Sequence, residues 1–154
     1  MTIIIDTREQ KILKFPFEYV TEIKRRKLDV GDYMVQFKNN YIPPISFERK
    51  SLGDLFSTLG KGYTRFKKEI ERAKQSNTKL ILIVECSLTN VSKGHARSRM
   101  AGETVVKRLF TLWVKYDLSI IFCNNRTEMS KTIYETYCAI GRLLKKEKAT
   151  NAKL

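Results

Sequence analysis

The chain has 154 residues, of which 42% are hydrophobic, and 30 Lys or Arg against 16 Asp or Glu give it a net charge of +14. This length and composition fit one globular domain without a membrane span or a secretory signal, so we expect a cytoplasmic protein. The three widely spaced cysteines, Cys86, Cys123 and Cys138, indicate reduced core thiols instead of a disulfide frame or a zinc site. The excess positive charge favours a polyanionic partner, although a generic basic protein would carry a similar charge.

Residues 2–5 predict the first β-strand, and two acidic residues follow it. The run Thr-Ile-Ile-Ile is short and almost wholly apolar, which is typical of a buried strand in the middle of a sheet. Asp6 and Glu9 come directly after this run, at the strand end where α/β folds tend to place their chemistry. Taken alone, the Asp-x-x-Glu spacing is a weak signal, because a turn or a helix cap explains it better.

A β-hairpin is predicted over residues 32–50, around a turn at Asn39-Asn40. A hairpin brings its outer ends together, so Asp32 and Glu48 become neighbours, and strand alternation places Lys50 on the same face as Glu48. Two carboxylates and an ammonium group in this arrangement suit a magnesium ion that keeps several waters, and a phosphate that gains charge. For each residue alone, solvated charges on an edge hairpin are the more ordinary explanation.

The rest of the chain predicts an alternation of helices and strands. We expect helices over residues 61–75, 103–116 and 126–146, and strands over 79–85 and 118–123. Each helix has a predicted apolar face. For the first helix it consists of Tyr63, Phe66, Ile70 and Ala73, and for the second of Val106, Leu109, Leu112, Trp113 and Tyr116. For the third it consists of Met129, Ile133, Tyr137, Ile140 and Leu144, and Tyr134 and Leu143 widen it.

Residues 87–102 show neither a helical nor a strand period. Four basic or titratable residues cluster there among Ser, Asn and Gly, so a mobile basic loop that closes on DNA and a surface loop without a function are equally consistent. One of them, His95, has no paired ligand and is left out of the catalytic set. Glu85 ends its strand much as Asp6 ends the first one, and both a site role and a structural role stay open for it.

Three motifs together resemble the signature of the XPF-type structure-specific endonuclease domain: Asp-Thr-Arg-Glu at 6–9, Gly-Asp at 31–32, and Glu-Arg-Lys-Ser-Leu-Gly-Asp at 48–54. The likeness extends over roughly residues 2–145 and includes Gly-Tyr-Thr-Arg-Phe at 62–66. It implies an α/β domain over residues 1–146 with a restriction-endonuclease-like core, a central mixed β-sheet flanked by helices. Residues 147–154 are then a polar tail, and the frayed part begins at about Lys145.

The resemblance also implies the chemistry. Asp6, Asp32 and Glu48 would be ligands of Mg²⁺, for which Mn²⁺ would substitute, Glu9 would assist, and Lys50 would be the catalytic lysine. The implied reaction is hydrolysis of a DNA phosphodiester by a metal-activated water, in branched DNA such as flaps, forks and junctions. The catalytic set implied in this way is Asp6, Arg8, Glu9, Asp32, Glu48, Arg49, Lys50 and Asp54.

The two arginines of the motifs have proposed roles, and Arg49 has an alternative. Arg8 or Arg49 would neutralise phosphate charge, or Arg49 would pair with Asp54 and hold the loop geometry. Tyr63 opens its helix where the family leads us to expect a basic residue. The residues expected to contact nucleic acid are Lys61, Tyr63, Arg65, Lys68, Lys93, Arg97 and Arg99.

Larger family members carry a tandem helix-hairpin-helix domain or a helicase, for which this chain has no room, so it resembles the short stand-alone versions of bacteria and phages. Because family members dimerise through this domain, we predict a homodimer through the last elements of the chain; packing within one chain is the alternative. A separate helicase or DNA-binding protein as partner, a catalytically silent DNA-binding scaffold of a repair or recombination complex, and an RNA-directed nuclease stay open as other interpretations. The complete set of motif carboxylates and Lys50 argues against the silent scaffold.

Overall fold

The computed structural model describes residues 1–151, except the side chains of Lys148 and Asn151. Its elements in chain order are β1 (Thr2–Ile5), β2 (Glu22–Arg25), β3 (Tyr33–Gln36), β4 (Ile45–Lys50), α1 (Leu52–Leu59), α2 (Tyr63–Gln75), β5 (Lys79–Val84), α3 (Leu88–Ser92), α4 (Gly102–Tyr116), β6 (Ser119–Phe122) and α5 (Arg126–Asn151).

The six strands form one mixed sheet in the order β2-β1-β3-β4-β5-β6. β1 runs parallel to β2 and antiparallel to β3, which in turn pairs antiparallel with β4. β4, β5 and β6 run parallel to one another. The carboxyl ends of β1, β4 and β5 therefore meet the start of β3 at one end of the sheet, and the acidic motif residues lie at that end.

Helices cover both faces of the sheet. On one face, apolar residues of α1, α2, α3 and α4 pack on Leu80, Leu82 and Val84 of β5. On the other face, α5 packs on residues such as Phe47 and Ile83. Because side chains alternate along a strand, Glu48 and Lys50 point toward α1 and α2, whereas Phe47 and Arg49 point toward α5.

The predicted mixed sheet with flanking helices is confirmed, and so is the hairpin, whose turn residue Asn40 has a positive φ of 62°. The buried first strand is confirmed too, since Ile3, Ile4 and Ile5 are at most 2% exposed. The cysteines are free thiols; two are buried as expected, whereas Cys138 is only partly buried. None of the helices in residues 1–151 combines the length and the apolar composition that a membrane span requires.

Three details of the predicted elements are wrong. β2 was missed because its residues, Glu-Ile-Lys-Arg, are all exposed and its backbone pairing with β1 alone defines it. Residues 87–102 include the short helix α3, which begins where the Ser87 side chain accepts a hydrogen bond from the Asn90 amide at 3.1 Å. α5 continues to Asn151 through much of the predicted frayed tail, since Lys, Glu and Ala favour a helix; residues 152–154 lie outside the described part.

The buried faces of α4 and α5 also differ from the prediction. On α4 the predicted Leu109 and Leu112 are buried, and Val106 and Tyr116 are partly buried against the core. Trp113, however, is 54% exposed, and Val105, which was not predicted, is buried. The apolar residues of α4 form two stripes, and the period alone does not say which stripe faces the sheet. On α5 the Leu143 side chain is 59% exposed, so it does not widen the buried stripe.

Candidate active site

Asp32, Glu48 and Lys50 come together at the end of the hairpin, as predicted. The pairing of Tyr33 with Phe47 places Asp32 opposite Glu48 on the neighbouring strand. The Lys50 ammonium group donates a hydrogen bond to Glu48 Oε1. Asp32 is held against β4 at two points, because its amide donates to the Phe47 carbonyl at 2.7 Å and its Oδ2 accepts from the Arg49 amide at 2.9 Å.

The charged forms of Asp32 and Glu48 are unfavourable in this arrangement. Burial raises the pKa of Asp32 to about 6 and the pKa of Glu48 to about 8, and the Asp32 charge adds to the rise at Glu48. Burial alone would lower the pKa of Lys50, but the Glu48 carboxylate outweighs it and holds that pKa above its usual value. One ammonium group thus faces the buried carboxyl group of Glu48 and the partly buried one of Asp32, and a further cation between them would relieve their repulsion.

Asp6 is engaged differently. Its carboxylate is fully buried and accepts hydrogen bonds from Arg8 Nε and the Arg8 amide at 2.7 Å, from Arg8 Nη2 at 3.0 Å and from the Leu28 amide at 2.6 Å. Burial would raise the pKa of Asp6, but these hydrogen bonds hold it below its ordinary value. A metal would have to replace some of them, so the prediction that Asp6 is a metal ligand is not favoured by these contacts.

Arg49 lies on the other face of β4, among three carboxylates. Its side chain is 4% exposed, and its nitrogens lie 3.0 Å from Glu9, 3.4 Å from Glu85 and 3.8 Å from Asp54. The alternative pairing with Asp54 is therefore present, but it is the longest of the three contacts. Because the guanidinium is buried and engaged, these contacts favour a structural role for Arg49 over the neutralisation of phosphate; Arg8, 63% exposed, is placed better for that task.

Glu9 forms a buried ion pair with Arg49. It is 7% exposed, binds Arg49, and also accepts a hydrogen bond from the Lys11 amide at 2.6 Å. Asp54 lies in the first turn of α1, where its side chain accepts a hydrogen bond from the Ser51 hydroxyl at 2.6 Å. Glu85, whose role the sequence left open, joins the Arg49 cluster. The acidic residues of the implied catalytic set are thus divided between the two faces of the sheet.

Three residues of this region escaped sequence reasoning. Arg126, the first residue of α5, donates to the carbonyls of Lys11 and Ile12 at 2.8 Å and lies 3.8 Å from Glu85. Ser51 caps α1, and the Ser-x-x-Asp spacing would have indicated this role. Glu69 of α2 accepts a hydrogen bond from the Gly31 amide at 3.2 Å. Its only sequence signal is an acid within a strongly basic helix.

The donor set fits a hard divalent cation only in part. Within residues 1–151, no group of three His, Cys, Asp and Glu side chains converges as a metal-binding cluster. Asp32 and Glu48 nevertheless supply two oxygen donors from adjacent strands, and Mg²⁺ is commonly held by one or two carboxylates with waters and substrate phosphates as its other ligands. The pair therefore fits such an ion, with Asp6 outside the immediate set.

The residues predicted to contact nucleic acid are mostly exposed and flank α1. Lys61, Arg65 and Lys68 lie on its C-terminal side, in the turn to α2 and on α2 itself. Tyr63 is half-buried, with Lys67 Nζ and the Arg108 guanidinium 4.9 and 4.8 Å from its ring centroid. The loop after α3 carries exposed Lys93, Arg97 and Arg99, and its His95 ring packs 5.8 Å from that of Phe56 in α1.

The architecture and the site define an α/β nuclease-type domain, and comparison with known proteins shows the family to which it belongs. The ERCC4 domain matches residues 5–136. The chain therefore belongs to the ERCC4 domain family, a family of DNA endonucleases, which confirms the resemblance stated from the motifs. No curated protein matches the sequence significantly.

Solved structures confirm the fold. XPF from Aeropyrum pernix superimposes with a TM-score of 0.69 at 18% identity, over 96% of this chain and 69% of that one. The same protein in complex with DNA gives a TM-score of 0.65 at 19% identity, over 95% of this chain and 66% of that one. The restriction-endonuclease-like core, a mixed sheet flanked by helices, is thus the fold of this chain.

Proposed function

We propose that this protein is a metal-dependent endonuclease that hydrolyses phosphodiester bonds in branched DNA. The observation that carries the proposal is the convergence of Asp32, Glu48 and Lys50 at the strand ends of an ERCC4 domain. A buried and a partly buried carboxyl group, both with raised pKa values and a shared ammonium group, are unfavourable in a merely structural site. Membership in a family of DNA endonucleases supports the same activity.

Asp32 and Glu48 are the side chains that would hold Mg²⁺ or Mn²⁺, and Asp6 remains a further candidate. A bound divalent cation would supply an activated water and would stabilise the charge that develops on the phosphate. Lys50, held against Glu48, is placed to orient the attacking water and to compensate phosphate charge. Arg8 presents an exposed guanidinium near the same end of the sheet, and Asp6 fixes its orientation.

Two basic segments beside α1 form the proposed DNA surface. The first is the turn and helix with Lys61, Arg65 and Lys68, and the second is the loop with Lys93, Arg97 and Arg99. α1 begins two residues after Lys50, the His95 ring of the second segment packs on Phe56 of α1, and Glu69 of α2 accepts a hydrogen bond from the Gly31 amide beside Asp32. A net charge of +14 supports binding to the phosphate backbone, and that binding should weaken as salt rises.

We further infer a homodimer through the exposed apolar side of α4. Phe110, Trp113 and Val114 are 43%, 54% and 83% exposed, and the first two rings lie 5.7 Å apart. Such a patch marks an interaction surface more often than a solvated face, and β6, the neighbouring strand in the chain, is an edge of the sheet. A separate helicase or DNA-binding partner that selects the substrate is compatible with this arrangement.

The test is cleavage of a labelled set of duplex, single-stranded, flap, fork and four-way-junction DNAs, with Mg²⁺, Mn²⁺ or chelator. We expect the wild type to cut branched forms only with a divalent cation, and Asp32→Ala to lose at least about 100-fold in rate, as expected when a ligand of a catalytic metal is removed. Asp29→Ala is the matched control, because Asp29 is exposed and lies three residues away in the same segment. It should cut like the wild type.

Other outcomes would change the assignment. Binding of branched DNA without cutting under every condition would favour the silent scaffold or a nuclease that needs a partner. Cutting that persists in chelator, or in Asp32→Ala, would exclude the proposed site. Matched RNA forks in the same assay distinguish a DNA endonuclease from an RNA-directed one.

A further inference from the structure

Glu69 lies on α2, outside every motif that carries the family resemblance, yet it faces the catalytic end of the sheet. Its carboxylate Oε1 accepts a hydrogen bond from the Gly31 amide at 3.2 Å, across 38 positions of sequence. The helix that carries it is fixed on the sheet by buried Phe66, Ile70 and Ala73. The position of Glu69 is therefore set by the packing of the core and not by local surface chemistry.

The group that Glu69 binds is a constrained turn. Gly31 has a φ of +73°, and a side chain at this position would overlap the Ser46 hydroxyl. The next residue is Asp32, whose amide and carbonyl are both held by the sheet, the amide by Phe47 at 2.7 Å and the carbonyl by the Asp6 amide at 2.8 Å. The hydrogen bond from the Gly31 amide to Glu69 thus holds the turn at the residue directly before Asp32.

Glu69 is also part of the electrostatic environment of the site. Its charge acts on the Asp32 and Glu48 carboxyl groups and on the Lys50 ammonium group. Even so, it does not complete a three-residue metal-binding group within the described residues. Its direct contact is with the backbone amide of Gly31, which favours a role in positioning over a role as a ligand.

We propose that Glu69 is a positioning residue of the catalytic site, which holds the Gly31–Asp32 turn from α2 and so keeps the Asp32 carboxylate directed toward Glu48 and Lys50. This inference rests on the proposed nuclease function for its effect on cleavage. Its structural part is independent of that function, since it concerns one hydrogen bond to one backbone amide.

Two substitutions separate the hydrogen bond from the charge. Glu69→Gln keeps an acceptor oxygen for the Gly31 amide but removes the charge, and Glu69→Ala removes both. Glu71→Ala is the matched control, because Glu71 is an exposed acid on the same helix. Hydrogen exchange of the backbone amides of residues 28–34, thermal unfolding, calorimetric binding of Mn²⁺ without DNA, and cleavage of branched DNA would be measured for all three variants.

We expect Glu69→Ala to speed amide exchange in residues 28–34 at an unchanged unfolding midpoint, and to weaken Mn²⁺ binding and cleavage by about 10- to 100-fold, as the loss of a residue that orients a ligand commonly does. Glu69→Gln should restore exchange protection and bring both activities to within about threefold of the wild type, since it keeps the acceptor. Glu71→Ala should match the wild type in every measurement.

Two results would overturn the proposal. Equal losses in Glu69→Gln and Glu69→Ala would assign the effect to the charge of Glu69, as a ligand or a phosphate-facing group. Unchanged exchange in Glu69→Ala would show that the turn does not depend on it. If the wild type does not cut DNA at all, the nuclease proposal fails, while the exchange and Mn²⁺ measurements still decide the role of Glu69.

Discussion

At the scale of single residues, the site is defined by which carboxylates are saturated and which are not. Asp6 accepts four hydrogen bonds and has a lowered pKa, whereas the partly buried Asp32 and the buried Glu48 lie beside each other with raised pKa values. The hydrogen bonds of Asp6 favour its charged form. The other two are destabilised as ions, so they gain most from a bound cation, and this difference separates Asp6 from the proposed metal ligands.

Asp32→Asn should stabilise the metal-free protein at pH 8. The pKa of Asp32 is about 6 in the folded chain against an ordinary 3.8, so the folded state binds the proton more tightly than the unfolded state does. The stability that this tighter proton binding contributes is complete below pH 3.8 and is lost as pH rises through about 6. For a shift of roughly two pKa units, the loss in the free energy of unfolding is up to about 3 kcal/mol. Removing the charge avoids that loss.

The measurement is thermal unfolding between pH 4 and pH 8 in chelator, with and without added Mg²⁺. We expect the midpoint of Asp32→Asn to exceed that of the wild type by several degrees at pH 8, and the difference to shrink toward pH 4. Mg²⁺ should stabilise the wild type more than the variant. Asp29→Asn serves as the exposed control, and a lower midpoint for Asp32→Asn at pH 8 would refute the argument.

At the scale of elements, the turn between residues 28 and 32 connects the site to the core. Ser46 of β4 donates a hydrogen bond to the Val30 carbonyl at 2.7 Å, the Leu28 amide binds Asp6, and the Gly31 amide binds Glu69. This segment has no regular structure of its own, yet each of these contacts links it to a different element. The geometry of Asp32 therefore depends on a turn that only its surroundings define.

Gly31→Ala should destabilise the protein by about 2–4 kcal/mol, because a side chain strains the left-handed backbone and overlaps the Ser46 hydroxyl. Urea unfolding measures the change. The double variant Gly31→Ala with Ser46→Ala should recover the part due to overlap, when compared with Ser46→Ala alone. Gly141→Ala is the control: an added Cβ at this position in α5 would lie 3.4 Å from the Phe37 ring, an ordinary van der Waals contact, so alanine should be neutral or stabilising. Equal stability of Gly31→Ala and the wild type would contradict the description of the turn.

At the scale of the whole molecule, the proposed DNA surface and the apolar patch of α4 are separated. The basic segments and the acidic catalytic group lie around α1 and the strand ends, and exposed Phe110, Trp113 and Val114 lie on α4. One surface suits a polyanion and the other a protein, so a second copy bound at α4 would leave the proposed DNA surface of each chain open. This separation is the physical basis of the proposed homodimer.

Trp113→Glu should convert the homodimer into a monomer, because it places a charge in the centre of the exposed α4 patch. Light scattering after gel filtration at micromolar concentration measures the mass. Leu143→Glu is the matched control: Leu143 is 59% exposed on α5, against 54% for Trp113, and lies outside the α4 patch. A monomeric wild type would remove the dimer, and dissociation by Leu143→Glu alone would move the interface to α5.

The amino-acid sequence by itself determined the elements and contacts that depend on neighbours along the chain. The period of two in the hairpin placed Asp32 opposite Glu48 and Lys50 beside Glu48, and the motifs around them identified the family. The missed β2 and the misplaced Trp113 of α4 have the opposite cause. An exposed charged strand has no hydrophobic pattern, and a helix with two apolar stripes does not indicate which one meets the sheet.

Only the tertiary structure decided how the acidic residues divide between the faces of the sheet. Glu9 and Glu85 neutralise Arg49 on the α5 side, Leu28 and Arg8 saturate Asp6, and Glu69 reaches Gly31 from α2. Each of these contacts joins segments whose relative position is set by the packing of helices on a mixed sheet, and local propensity carries no information about it. Spacing in the sequence therefore identified the acidic residues, and packing determined which of them can act together.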